Sequence, residues 1–524
     1  MIAAKFRMGA AALILAASAL LSRLMGLVRD KIISWQFGAT HEADMYFAAF
    51  VVPDIINYLL AGAFVSITII PLLARAFSED EENAWKLFSC ILFWMCAASV
   101  ALTGAGEIFA VQLAAVVAPG FSNEQILRLA AFMRIILPGQ IFFLCGSCFT
   151  ALLFLRRQFA VPALSPLIYN GCIIAFGLAL PLFPGVSEDF GMKGYCIGVS
   201  IGAFLGALLL PYAVALRGGL KIGLVTTHPL MGKFLIIALP LMLGQTVVVL
   251  DEQFLRIFGS MLAEGNVSLL NYGRRIAQVP VSLMGQAIAV ASYPFLVRLL
   301  AEKELDKFNQ TLNTAIRSAL LLVIPCSIWM MGAAQPILGI IFEGGKFGPG
   351  QTLACLPLTQ IMLAATPAWI LYMVLARAFY AWEDTITPAL TGTIITIVAI
   401  PCYYWPGVAN GAWAIAGISS LSLFIYVGWL AIIWIRRHGN AAFTSLGSAC
   451  TRMLACSLVP GAAAWLLYEQ ISPEFSAYGP FFSYCVQLAT NTAIFGVLFL
   501  PLVWLLMPEF LKILWHRLNR TKVS

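Results

Sequence analysis

Charged side chains inside long apolar stretches are the first residues in this sequence that could do chemistry. An Arg or Asp at mid-bilayer costs about 2.5–3.5 kcal/mol on insertion scales, so each one needs a reason to be there. The first apolar stretch holds Ser22, Arg23, Arg29 and Asp30. The second holds Asp44 near its outer end, with Asp54 and Asn57 deeper in. A later stretch holds Asp251, Glu252 and Arg256, and the one after it holds the adjacent pair Arg274–Arg275. On a helix, Arg23 and Arg29 lie on neighbouring faces about 9 Å apart along the axis. Arginine's planar fork grips phosphate bidentately, so a cluster of inward arginines suits a phosphate or pyrophosphate headgroup. An exporter of organic cations would favour acids and aromatic rings. The competing reading is ion pairing between helices, or snorkelling to an interface. It weighs most on Arg29–Asp30 and Asp44, near the outer surface, and least on Arg23 and Arg275, which lie deep in stretches from different halves.

Other chemistry finds no support. His41, His228, His438 and His516 are far apart, so the spacing forms neither a triad nor a metal site, and no cofactor is implied. There is no Walker loop and no polar stretch long enough to house ATP hydrolysis. Cys145 and Cys148 form a CxxC inside the apolar run Ile135–Phe154, without a second pair, and packing outweighs redox or zinc chemistry there. Glu107 and Arg134 are isolated and read as helix-end or packing residues.

The elements that position these side chains follow from composition. Of 524 residues, 61% are hydrophobic and 10% charged, with a mean hydropathy of +0.91. A soluble domain carries roughly 25% charged residues. Since a membrane-crossing helix needs about 20 apolar residues, the chain reads as an all-α polytopic membrane protein of about fourteen helices. The predicted spans are 10–35, 43–75, 84–107, 124–155, 160–183, 191–217 and 230–262. The remaining seven are 266–300, 308–332, 351–381, 386–405, 410–437, 447–470 and 482–507, with an amphipathic tail beyond. Lys5 and Arg7 precede the first run, which reads as a retained helix rather than a cleaved leader.

Arg75, Lys86, Arg156, Arg157, Arg217, Lys221, Arg298, Lys303, Lys307, Arg436 and Arg437 fall on one set of connections. The opposite connections carry mainly acids: Glu42, Glu188, Asp189, Glu264, Glu343 and Glu474. By the positive-inside rule both termini face the cytoplasm, in an inner (cytoplasmic) membrane.

Two stretches recur about 220 residues apart. Leu137-Pro-Gly-Gln-Ile141, Phe159-Ala160 and Pro166 are echoed by Leu356-Pro-Leu-Thr-Gln-Ile361, Tyr380-Ala381 and Pro388. Six helices separate them, which predicts a parallel repeat about the membrane normal with a site between two lobes. Gly194, Gly198, Gly202 and Gly206 form a stripe that predicts a close helix–helix approach.

Together these residues resemble a known family. Ser22-Arg-Leu-Met-Gly-Leu-Val-Arg-Asp30, Phe37-Gly-Ala, and Asp44 with Phe47 and Phe50 resemble the opening of the MurJ/MviN lipid II flippases. Pro53, Gly62-Ala-Phe64, Ala118-Pro-Gly-Phe121 and Phe159-x-x-Pro-x-x-x-Pro-x-x-x-Asn170 continue the match. Tyr272 with Arg275 and Pro280, Gly345-Lys-Phe347, and Phe379 through Pro388 complete it. The family sits in the multidrug/oligosaccharidyl-lipid/polysaccharide exporter superfamily. The resemblance implies two six-helix lobes in a V, residues 1–217 and 218–440, with helices 13 and 14 and the tail (441–524) forming a groove for a polyprenyl chain. It also implies alternating access that carries the undecaprenyl-pyrophosphate-linked precursor, lipid II, to the outer leaflet.

By position, Ser22, Arg23, Arg29, Asp44 and Arg275 match family cavity residues, and Asp30 joins them as a substrate-binding candidate. Asp54, Asn57, Asp251, Glu252 and Arg274 form a wider cavity set. The chain departs from the family pattern at three places. Asn57 replaces a common arginine, Arg274 stands where an acid is common, and no lysine precedes Pro53. Helix 11 lacks the acids and asparagines that bind sodium in some members, which argues against sodium coupling and leaves the membrane potential as a driving force. The expected partners are lipid II, membrane lipids and cell-wall synthases, with no nucleic acid. Other readings are a flippase for a different polyprenyl-linked glycan, a non-transport scaffold for cell-wall synthesis, and, least favoured, a drug/cation antiporter.

Overall fold

Lipid supplies no hydrogen bonds to a backbone, so helices, which satisfy their amides within one segment, are the natural solution for a chain this apolar. The computed structural model describes residues 2–61, 68–182, 190–244, 246–471 and 479–507, and these are helical apart from turns, an irregular segment at 220–228 and one bridge, Gly344 to Phe347. The predicted tail, Gly62-Ala-Phe64, Glu188, Asp189, Glu474 and His516 lie outside the described residues. The chain forms two compact units, Met1–Ser268 and Leu269–Ser524.

In the first unit the helices are α1 (Ile2–Phe37), α2 (His41–Ala48), α3 (Val51–Ala61), α4 (Ile70–Glu79), α5 (Glu81–Ile108) and α6 (Ala110–Val117). They are followed by α7 (Asn123–Ile136), α8 (Pro138–Leu155), α9 (Ala160–Ala179), α10 (Lys193–Gly202), α11 (Leu210–Arg217), α12 (Met231–Gly244) and α13 (Thr246–Gly259). Local signals set several starts. The Asp80 carboxylate accepts from Glu82 N at 2.9 Å to open α5. Ser122 and Gln125 form a reciprocal capping box that opens α7.

The glycine stripe packs backbone to backbone against α9. A Cβ on Gly198 would lie 2.7 Å from the Ile173 Cα, and one on Gly202 would lie 2.9 Å from the Tyr169 carbonyl oxygen. The segment 218–230 and the helices α12 and α13 after it belong to this unit. Gly223 N donates to Ser89 Oγ at 3.2 Å, and Trp94 Nε1 donates to the Thr226 carbonyl at 2.8 Å.

The second unit contains α14 (Asn266–Pro280, its start included in the first), α15 (Gln286–Ala301), α16 (Leu305–Gly332), α17 (Ala334–Phe342), α18 (Pro349–Ala364) and α19 (Thr366–Ala381). It continues through α20 (Ile386–Cys402), α21 (Val408–Asn410), α22 (Ala412–His438), α23 (Leu446–Ile471) and α24 (Pro480–Leu506). Its core is aromatic: Tyr272 packs on Phe342 and Phe347, and Phe379 meets Trp434 edge-on at 5.1 Å. Several family-motif residues are therefore packing residues.

Among the described residues, ten helices are long and apolar enough to cross a membrane. They are the counterparts of predicted helices 3–6 and 9–14. Predicted helix 2 breaks at the turn Ala49-Phe50 between α2 and α3, while the junctions of α3 with α4 and, in predicted helix 7, of α12 with α13 lie outside the described residues. Predicted helix 8 is interrupted after Pro280 by a π-helical turn, Val281–Gly285. Predicted helices 2, 7 and 8 carry most of the candidate charges.

The order of elements repeats between units. A 28-residue helix (α5, α16) leads through a short apolar helix (α6, α17) into a 33-residue span (Asn123–Leu155, Pro349–Ala381) and two further spans. The motif pairs are out of step with this order. Phe159-Ala160 opens α9, whereas Tyr380-Ala381 closes α19. The element lengths recur in the same order, and the aromatic-Ala pairs fall at different points of the two series.

Candidate functional site

The candidate site residues of the first unit fall into three clusters. In the first, α1 runs along α9, and Ser18 Oγ donates to the Ala163 carbonyl. Two turns further along α9, Asn170 reaches α1. Its Nδ2 donates to Ser22 Oγ at 3.3 Å and to the Pro166 carbonyl at 3.0 Å, and its Oδ1 accepts from Arg29 Nη1 at 3.2 Å. Arg29 also donates to Asp30 Oδ1, from Nε at 2.9 Å and from Nη2 at 2.8 Å. Asp30 is 2% exposed and Arg29 14% exposed, so the pair lies in a low-dielectric setting where its hydrogen bonds are strong. Of the guanidinium's five N–H groups, these contacts engage three. The geometry thus holds an arginine rigidly and leaves donors to spare. Arg23 is half-buried on the same helix.

The second cluster centres on Arg256 of α13, which is 5% exposed. Its Nη1 donates to Asp54 Oδ2 at 2.8 Å and to Gln253 Oε1 at 3.1 Å, and its Nη2 donates to Glu252 Oε1 at 2.8 Å. Asp54 and Glu252, both wider-cavity candidates, are thereby committed to one cation. Asn57, on the same helix as Asp54, donates to Gln140 Oε1 of α8 at 3.1 Å. Asp251 is half-buried beside Glu252.

The third cluster gives Asp44 a structural task. Its Oδ1 accepts from Ser268 N at 2.7 Å and Ser268 Oγ at 2.6 Å, and its Oδ2 accepts from Gly265 N at 2.6 Å. Ser268 N lies in the first turn of α14, where unsatisfied amides favour a carboxylate. With both oxygens engaged and 2% exposure, Asp44 positions the start of α14. Close by in sequence, Glu42 takes Arg128 bidentately at 2.6 and 2.7 Å and accepts from Met192 N at 2.9 Å.

In the second unit, Arg274 is 5% exposed and lies 4.9 Å over the Trp369 ring, a cation–π placement. Arg275 is half-buried on the same helix.

The structure therefore joins Ser22, Arg29 and Asp30 in one network and Asp54 with Glu252 in another. It places Asp44 with neither. The residues missing from the sequence-based set are Asn170, which bridges Ser22 to Arg29, and Arg256, which gathers the acids of α3 and α13. Asn170 closes a quoted motif, and that was its only signal. Glu107 and Arg134, read as isolated, meet through the Glu107 carbonyl, which accepts from Arg134 Nε at 3.4 Å. The thiol of Cys145 lies 2.7 Å from Cys96 of α5, a contact between packed helices.

Comparison with known proteins gives a consistent picture. A family model described as "Lipid II flippase MurJ" matches residues 33–486. A probable lipid II flippase MurJ of Rickettsia prowazekii is 25% identical over 507 residues, covering 94% of this chain and 96% of the relative. A lipid II flippase MurJ of Burkholderia cenocepacia is 26% identical over 428 residues, covering 78% and 81%. Among solved structures, a lipid II flippase MurJ in an inward closed conformation superposes with a TM-score of 0.76 at 21% identity, covering 93% of this chain and 98% of that one. An inward-facing multidrug resistance MATE transporter of the MOP superfamily gives 0.68 at 15% identity, covering 81% and 96%. These two likenesses bear on the fold.

Proposed function

The chain belongs to the lipid II flippase MurJ family, and on that premise we propose how its own residues handle the substrate. It is a multi-pass inner-membrane transporter rather than an enzyme, and it moves lipid II from the inner to the outer leaflet by alternating access. The observation that carries the site assignment is the Ser22–Asn170–Arg29–Asp30 network. A guanidinium fixed on three N–H groups is pre-organised, so receiving a pyrophosphate oxygen on the remaining two costs little rotamer entropy. Arg23 on the same helix and Arg275 on α14 engage the same anion during the cycle. Arg274, stacked on Trp369, adds positive charge where the family commonly has an acid. Asp54, Asn57, Asp251 and Glu252 keep the surrounding cavity polar, with Arg256 balancing the acids.

The lobes that move are residues 1–217 and 218–440, with 441–524 guiding the polyprenyl tail, and both termini stay in the cytoplasm. An inside-negative potential favours an anion leaving the cytoplasm by about 2.3 kcal/mol per charge per 100 mV. The cycle then runs on the potential, without ATP hydrolysis and without sodium. The test is depletion of the chain followed by measurement of lipid II accessibility at the outer surface. Loss of accessibility supports the reading, and accumulation of a different polyprenyl-linked glycan in the inner leaflet overturns it.

A further inference from the structure

The second unit has a groove far in sequence from the charges described above. It runs between α20 and α22 and encloses about 660 Å³. Leu390, Ile394 and Val398 of α20 line it together with Leu421, Ile425 and Trp429 of α22, and all six are at least half exposed. The helices touch at two levels. Near one end, Tyr426 OH donates to the Pro388 carbonyl at 2.9 Å. Near the other, Gly407 approaches so closely that a Cβ there would lie 3.1 Å from Ile418 Cδ1. Pro401, Pro406 and the π-helical turn Tyr403–Gly407 sit at this second level, and such features deflect a helix. From Thr387 to Cys402 the groove is about 22 Å long, against roughly 15 Å for one leaflet's half of the hydrocarbon core. One extended acyl chain fits along it.

The chemistry at the Thr387 end selects among lipids. Arg437 is 53% exposed, and its Nη1 is tied to Asp384 Oδ2 at 2.8 Å and Thr387 Oγ1 at 2.9 Å. This anchors the guanidinium and leaves Nε and Nη2 without an acceptor among the described residues. Arg436 is exposed beside it, and Glu383 is exposed on the turn before α20. Arg437 and Asp384 thus meet at the head of the groove, with exposed Arg436 and Glu383 next to them in the chain. A purely anionic headgroup would meet Asp384 and Glu383 as like charges. A headgroup carrying both a phosphate and an ammonium satisfies both signs.

We propose that this groove seats one zwitterionic aminophospholipid of the phosphatidylethanolamine type. Its acyl chain lies between α20 and α22, its phosphate on Arg437, and its ammonium at Asp384 and Glu383. The site serves a membrane lipid and does not depend on the transport assignment.

Trp429 lines the groove and reports on occupancy. The full chain is reconstituted in vesicles containing phosphatidylethanolamine or phosphatidylglycerol brominated on the acyl chain. Trp429 quenching is then read as the difference between the unsubstituted chain and Trp429→Phe. The expected result is about threefold stronger quenching by the brominated phosphatidylethanolamine, the scale of exposed charge pairs. Glu383→Gln, on its exposed turn, lowers the preference, whereas Arg437→Ala, which removes the contact to the phosphate that both lipids carry, lowers quenching by both. Ser422→Phe, which fills the groove away from its head, also lowers quenching by both lipids. Equal quenching by the two lipids, stronger quenching by phosphatidylglycerol, or displacement by a few mole per cent of polyprenyl phosphate would overturn the proposal.

Discussion

Asn170→Asp separates the stability of the Arg29 network from its capacity to receive an anion. The substitution keeps the shape of the side chain and puts a carboxylate 3.2 Å from Arg29 Nη1, where the neutral Oδ1 now sits. Within the protein, the new ion pair with Arg29 partly offsets the loss of the bonds that Nδ2 donates to Ser22 Oγ and the Pro166 carbonyl, so stability falls by about 1–3 kcal/mol. A pyrophosphate held on the outward N–H groups of Arg29 would lie roughly 6 Å from the added charge. At an effective dielectric of 20, that repulsion is about 3 kcal/mol, or about a hundredfold in affinity. Asn170→Leu adds no charge and loses two neutral contacts, each worth about 0.6–1 kcal/mol, and one to the Arg29 guanidinium worth about 1.5–3 kcal/mol. It therefore lowers stability with less than about a tenfold loss of binding. The assay is lipid II binding to the purified full chain, read by native mass spectrometry beside thermal unfolding in the same detergent. If Asn170→Asp folds normally and binds lipid II within about threefold of the unsubstituted chain, Arg29 does not receive the pyrophosphate.

Asp54→Ala leaves Arg256 with Glu252 as its charged partner and costs about 1–3 kcal/mol in detergent unfolding, less than a fully buried pair because Asp54 is 30% exposed. Arg256→Met also strands Glu252 and is destabilising by itself, but it costs less when added to Asp54→Ala than when made alone, and a cycle showing no coupling contradicts the pairing. Asp44→Ala removes three hydrogen bonds from the start of α14 and lowers the unfolding temperature, a loss of about 2–4 kcal/mol checked by differential scanning fluorimetry. Gly198→Leu drives a side chain into the α9 backbone and abolishes folded yield in size-exclusion chromatography, whereas Gly104→Ala, with open space around it, leaves yield unchanged. Collapsing the membrane potential with an ionophore slows outward movement of lipid II in vesicles, while a sodium-free buffer does not.

The fold was legible where composition and short spacing govern it. Long apolar runs specify helices whatever their partners, and glycines every fourth residue specify a close approach, here onto α9. The interruptions of predicted helices 2 and 8, at the turn Ala49-Phe50 and the π-segment Val281–Gly285, were not legible, because apolarity continues across them. The charges were legible as a set but not as pairs. Asn170 lies 141 residues from Arg29, and Ser268 lies 224 from Asp44. No periodicity links positions so distant in sequence. That is why Asp44 read as a cavity residue while its oxygens close on the start of α14, and why Arg256, visible on its own helix, did not read as the partner of Asp54.

The account depends most on arginine carrying the pyrophosphate across the membrane. Its most direct test is the accessibility of lipid II at the outer surface of cells that rely on Arg23→Ala, Arg29→Ala or Arg275→Ala variants present at normal abundance. The account predicts that lipid II stays in the inner leaflet, as on depletion of the whole chain. Undiminished outward movement in all three variants would contradict it.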